Sequence, residues 1–201
     1  MDFATGRESI VTAPGPGSPT EVKVFAFPLL KPIRKAGQGN TQAARIDQPV
    51  NTASFNPFDK DYRGGVSLAT GWLAGSLGGA KRIIVSQLAD RGSVKIFSSG
   101  SALDGGPPLY LHSPLHHDHG AHFREIASFE PFGSAGTRVA TTSTTTGANL
   151  LVSGLAAGGT DATVLKFEFV RPSPQSTTLQ PVRLGQVWSA KGSQAAILGG
   201  D

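Results

Sequence analysis

The chain contains no cysteine, which removes disulfide bridges, thiolate metal sites and cysteine nucleophiles from its chemistry. The same absence leaves the compartment open, because many exported β proteins hold together without bridges. Charge is sparse, with Asp, Glu, Lys and Arg making up 16% of the residues. No stretch of about 18 consecutive apolar residues occurs, so no membrane-spanning helix is expected. Met1 to Gly17 lacks the basic-then-apolar layout of a signal peptide, and any export signal is expected elsewhere. Two motifs of common catalytic chemistry are missing as well. There is no G-x-S-x-G nucleophile elbow, and Gly75 to Gly79 carries no Lys-Ser/Thr pair to hold a phosphate. The chain is therefore not expected to be an enzyme.

What is present is turn chemistry. The 201 residues include 26 Gly and 14 Pro, with many Ser and Thr and with apolar residues in short runs. That composition points to an all-β protein, either one good-sized core or an array of smaller units stacked on one another. The net charge of +4 is spread along the chain. Its tightest group, Lys31, Arg34 and Lys35, lies beside a proline with no interleaved aromatics, which reads as a solvated loop. No nucleic-acid partner is expected.

Self-similarity organises the rest. Val22-Lys23-Val24-Phe25 is answered 72 residues later by Val94-Lys95-Ile96-Phe97 and, after a further 70, by Val164-Leu165-Lys166-Phe167. Ile10-Val11-Thr12 matches Ile84-Val85-Ser86 and Leu151-Val152-Ser153, and Ser54-Phe55-Asn56-Pro57-Phe58 matches Ser128-Phe129-Glu130-Pro131-Phe132. The pieces have strand composition and are bounded by turn residues. One unit thus comprises an aromatic-bearing strand (Ala53 to Phe58), a Gly-led strand (Val66 to Thr70), a buried apolar strand (Arg82 to Gln87) and an alternating strand (Ser93 to Ser98). Four strands per unit is the blade pattern of a propeller. Pro14-Gly15-Pro16-Gly17 and Ala89 to Gly92 supply tight turns between the last two strands. Phe25, Phe55, Phe58, Phe97, Phe129, Phe132 and Phe167 recur at equivalent places, which marks them as core rather than as a ligand box. The units cover about residues 1–30, 53–99 and 127–170, with a histidine-rich loop at 100–126 and a linker and tail at 171–201.

The phrases SFNPFDKDYRGGVSLATG (Ser54 to Gly71), RIIVSQ (Arg82 to Gln87) and IVTAPGPGSPTEVKVF (Ile10 to Phe25) resemble the FG-GAP/VCBS family of propeller repeats. That resemblance covers most of residues 1–170. It implies about three four-stranded blades of an incomplete or open propeller, in an exported protein that is extracellular, cell-surface or periplasmic. Members of the family bind calcium on an Asp-rich loop before the buried strand, since calcium needs six to eight oxygen ligands. Here Trp72 to Arg82 has no carboxylate, Thr142 to Asn149 offers hydroxyls and one amide, and only Asp2 and Glu8 remain near the chain start. Calcium is not expected. Because propellers close with four to eight blades, three units imply company: further blades of a precursor, or protein partners in an oligomer or larger complex.

All five histidines lie within eleven residues: His112, His116, His117, His119 and His122, with Asp118 among them. Imidazoles in that number suit zinc or copper. The spacing follows no finger or helix motif, and Pro107, Pro108, Pro114 and Gly120 mark a loop, so the plainer reading is a polar surface loop that gains charge in acid. Beyond Val170, Arg171 to Thr178 has linker composition, and Pro181 to Val187 and Ala195 to Leu198 are short strand candidates. These tail strands are expected to complete a neighbouring blade or to add to another subunit's sheet edge. Trp188 is expected to be a packing anchor. The leading expectation is thus a non-catalytic scaffold or protein-interaction module, with a metal-binding protein as the competing class. Metal analysis of untagged protein separates the two: we expect no stoichiometric zinc or copper, and metal that vanishes when the five histidines are replaced would overturn this.

Overall fold

A computed structural model of the chain describes residues 9–26, 49–73, 81–99, 123–133, 136–145, 147–155, 161–174 and 176–190. Among these residues there is no helix, and eleven strands form three antiparallel sheets, none of them closed. The first sheet holds β1 (Ser9–Thr12), β2 (Val22–Ala26) and β3 (Val50–Phe55). The second holds β4 (Val66–Gly71), β5 (Arg82–Gln87), β6 (Val94–Ser99) and β7 (Phe123–Phe129). The third holds β8 (Thr137–Thr144), β9 (Gly147–Leu155), β10 (Ala162–Val170) and β11 (Gln180–Ala190). Each strand pairs with its successor within its sheet, as expected for short β-rich runs separated by turn residues.

The three sheets repeat down to an irregularity. In each, the last two strands slip register immediately before a phenylalanine: between Val24 and Phe25, Ile96 and Phe97, and Lys166 and Phe167. The partner strand carries one extra residue there, Thr52, Ile126 and Leu184 respectively. A bulge of this kind sharpens the local twist and re-aims the side chains beyond it. The same phenylalanines face Ile10, Ile83 and Leu150 on the preceding strand of each sheet.

Two apolar layers hold the sheets together. Val22, Val24 and Ala53 of the first sheet meet Ile83, Val85 and Phe97 of the second. On the other face of the second sheet, Ile84, Val94, Ile96 and Ile126 meet Leu150, Val152, Leu165, Phe167 and Phe169 of the third. The second sheet is therefore buried on both sides, and Arg82 through Ser86 of β5 are buried without a break. Polar staples add to the second layer. The Thr141 hydroxyl donates to the Thr70 carbonyl at 2.9 Å, the Ser86 hydroxyl to the Thr137 carbonyl at 2.8 Å, and the Val139 amide to the Ser67 hydroxyl at 3.2 Å. β8 enters this joint so closely that a Cβ at Gly136 would sit 1.8 Å from the Leu88 carbonyl oxygen.

Several expectations shift. The aromatic-bearing strand, read as Ala53 to Phe58, is Val50–Phe55 and belongs to the sheet before the one that it precedes in sequence. Pro57 has no N–H for a ladder, and Phe58 instead turns into the first apolar layer, edge-on to Tyr62 at 5.7 Å. Thr142 to Asn149, read as a former calcium loop, is mostly paired strand, since Ser143 faces Ala148 and Thr144 faces Gly147. β7 begins at Phe123, inside the span assigned to the histidine-rich loop. Beyond a turn at 172–174, the tail forms β11, longer than the Pro181 to Val187 candidate and paired with this chain's own β10.

Arg82 stands out among the buried residues. It is fully buried at the start of β5, and its three guanidinium nitrogens have no hydrogen-bond partner among the described residues. Desolvation, and then the neighbouring charge of Arg171, pull its pKa down to about 10. The folded state binds this proton less tightly than the unfolded chain, so its charge is a cost that is constant below about pH 10 and shrinks only above it. We expect Arg82→Met to stabilise the protein, by on the order of 1 kcal/mol at any neutral pH, because apolar replacement of a buried charge is neutral or favourable. Chemical denaturation at pH 6 and pH 8 checks this. A loss of stability would mean that the guanidinium has a partner in solution.

Candidate interaction surface

The outer face of the third sheet has no counterpart packed on it among the described residues. β10 alternates strictly: Thr163, Leu165, Phe167 and Phe169 are buried toward the second sheet, while Ala162, Val164, Lys166 and Glu168 point the other way, half-buried. Antiparallel partners share a face. Leu151, Ser153 and Leu155 of β9 therefore lie on the outer side, opposite Lys166, Val164 and Ala162. So do Val182 and Trp188 of β11, opposite Glu168 and Val164. Six large apolar side chains on this sheet remain exposed: Leu155, Val170, Val182, Leu184, Val187 and Trp188. By register, Leu155, Val170, Val182 and Trp188 share the outer face, while Leu184 and Val187 sit at the two bulges; scattered exposed apolar residues are ordinary, and a group on one sheet face is less so.

Register shows what this face is. Phe55 ends β3 opposite Val22, and Phe129 ends β7 opposite Val94. Trp188 of β11 stands opposite Val164 in the same way, displaced by a second bulge between Val164 and Leu165. Phe55 packs on Phe97 of the next sheet with ring centroids 4.7 Å apart, and Phe129 packs on Phe167 of its next sheet at 5.0 Å. Trp188 has no next sheet among the described residues and is 39% exposed.

The outer face of the first sheet is the other open end. Ile10, opposite Phe25, is 45% exposed, and Phe25 is half-buried. A depression of about 350 Å³ opens beside them, lined by Thr12, Ala13, Pro14, Pro19, Glu21 and Lys23. Lys23 pairs with Glu21 at 3.2 Å. The Ser54 hydroxyl, and then Lys23, hold the Glu21 carboxyl below its usual pKa.

Of the metal-ligand candidates, His112, His116, His117, Asp118, His119 and His122 lie outside the described residues, as do Asp2, Glu8, the Gly75 to Gly79 stretch, Lys31, Arg34, Lys35 and Ala195 to Leu198. Among the described residues, no group of three or more His, Asp or Glu converges as a metal site would require. Sequence reasoning marked Trp188 as a packing anchor but missed the face to which it belongs. The available signal was order: each Val-x-x-Phe phrase, at Val22, Val94 and Val164, is followed by a strand that carries an aromatic, Phe55, Phe129 and Trp188. Compared with protein-family profiles, curated proteins and solved structures, the chain matches none.

Phe129 and Trp188 occupy matching places in two different environments, so truncation should separate them. In dilute protein we expect Phe129→Ala to cost about 2 kcal/mol, below the roughly 3–5 kcal/mol of a fully buried phenylalanine because Phe129 is half-buried. Trp188→Ala should change stability by less than about 0.5 kcal/mol, as for an exposed position. Urea denaturation of both variants measures the difference.

Proposed function

We propose that this protein is a non-catalytic scaffold or protein-interaction module whose sheets are propeller-like blades of the FG-GAP/VCBS type with the calcium loops lost. It packs its open sheet faces against partner chains in an exported or cell-surface bacterial assembly. The observation that carries the reading is the outer face of the third sheet, which presents Leu151, Val164 and Trp188 in the registers that are packed between sheets elsewhere in the molecule. A face of this kind exposes apolar area that costs about 25 cal/mol per Å² while wet, and a partner's sheet relieves it. The exported setting rests on the repeat resemblance alone. The absence of an enzyme role rests on the missing nucleophile and phosphate motifs. A second reading, transition-metal binding by a native site at His112 to His122, is favoured by the clustering of all five histidines in eleven residues. The decisive measurement is the mass of the native particle isolated from the source that makes it. We expect a particle heavier than the single chain of 20.8 kDa. A native particle of one chain, or catalytic turnover lost on a single point substitution, would overturn the proposal.

A further inference from the structure

We infer that the partner of the open faces is a second copy of this chain, held head to tail, with Trp188 of each copy seated on Phe25 of the other. This rests on the interaction-module reading and names its partner.

The internal joints define the contact. At each, an aromatic from the last strand of one sheet packs on a phenylalanine from the third strand of the next: Phe55 on Phe97 at 4.7 Å, and Phe129 on Phe167 at 5.0 Å. The receiving phenylalanine always follows the register slip and faces an aliphatic residue, Ile83 for Phe97 and Leu150 for Phe167. Among the described residues one donor lacks a receiver, Trp188, opposite Val164. One receiver likewise lacks a donor, Phe25, which follows the slip in the first sheet and faces Ile10. Both leftover faces retain exposed apolar groups, 39% for Trp188 and 45% for Ile10. A donor face on one end and a receiver face on the other cannot satisfy each other through a two-fold contact of like patches. They form a heterologous joint, which either closes into a ring or extends as a fibre.

Two copies are the fewest that give every described donor a receiver: Trp188 of each copy meets Phe25 of the other, and the joint closes on itself as a ring of two.

The lack of cysteine makes the test direct. Two single-cysteine variants, Phe25→Cys and Trp188→Cys, are made separately, mixed, and treated with a short bismaleimide. We expect a cross-linked dimer from the mixture and none from either variant alone. The wild-type chain should sediment at twice 20.8 kDa, and Trp188→Asp should weaken this dimer about thirtyfold or more, as loss of an aromatic anchor does, while its far-UV circular dichroism and melting temperature in dilute solution are retained. In a Trp72→Phe background, Trp188 emission should shift to shorter wavelength as the protein is concentrated. Cross-linking of Trp188→Cys with itself would overturn the inference, as would a ladder of longer oligomers or a single-chain mass at the highest soluble concentration. A single-chain mass for the purified protein beside a heavier native particle would sink the second copy and leave the interaction module standing; a single chain in both would sink both.

Discussion

Everything in this molecule follows from a sheet that is apolar on both faces. The second sheet cannot alternate inside and outside, because it has no outside: Ile83 and Val85 of β5 are buried against the first sheet, and Ile84 between them against the third. Burying each such side chain contributes roughly 1.5–3 kcal/mol, and only a neighbour on each side supplies that burial. A sheet of this kind cannot end a stack. The flanking sheets show what happens at an end, since β10 returns to strict alternation and leaves its outer row half-buried.

The joint that repeats is specific rather than merely greasy. The slip in register before Phe25, Phe97 and Phe167 occurs at one place in all three sheets, and a bulge sets local twist. Each sheet is therefore bent alike and can present its phenylalanine to an aromatic from the sheet before. Polar staples then fix the second joint: the Thr137 hydroxyl donates to the Gly92 carbonyl at 3.0 Å, and the Leu179 amide to the Ile126 carbonyl at 2.8 Å. Tyr62 does similar duty between β3 and β4, donating to the Gly65 carbonyl at 3.0 Å and accepting from the Ala89 amide at 3.1 Å. Such bonds contribute only about 1 kcal/mol each, but they exclude alternative registers that apolar packing alone would tolerate.

Strand content was legible because it depends on local composition. Arg82 to Gln87, five β-branched or polar residues and one glutamine bounded by turn chemistry, could be read to the residue. The phase of the sheets was not legible, because a periodic sequence fixes the order of its strands but not where one sheet stops and the next begins. Phe55 looked like the start of a unit and is the end of one. Thr142 to Asn149 misled for another reason: its hydroxyls and amide match a degraded loop as well as a polar strand pair, and only the pairing of Thr144 with Gly147 distinguishes them. The unpartnered burial of Arg82 was hidden altogether, since a cation at the head of an apolar run ordinarily marks the solvent boundary.

One substitution in the repeat shows how an open face stays soluble. Val24 and Ile96 occupy the place just before the register slip, and both are buried between sheets. At that place in the third sheet stands Lys166, half-buried, with Glu168 two residues on. A lysine there can lay its alkyl stem along Leu151 and Val164 while its ammonium reaches water. The face keeps enough apolar area for a matched partner but opposes indiscriminate stacking, because any sheet that covers it must accommodate a cation at its centre. On the proposed reading, the Lys166 position separates a face that takes one partner from a face that would aggregate, and it does so at the place that Val24 and Ile96 fill in the buried joints.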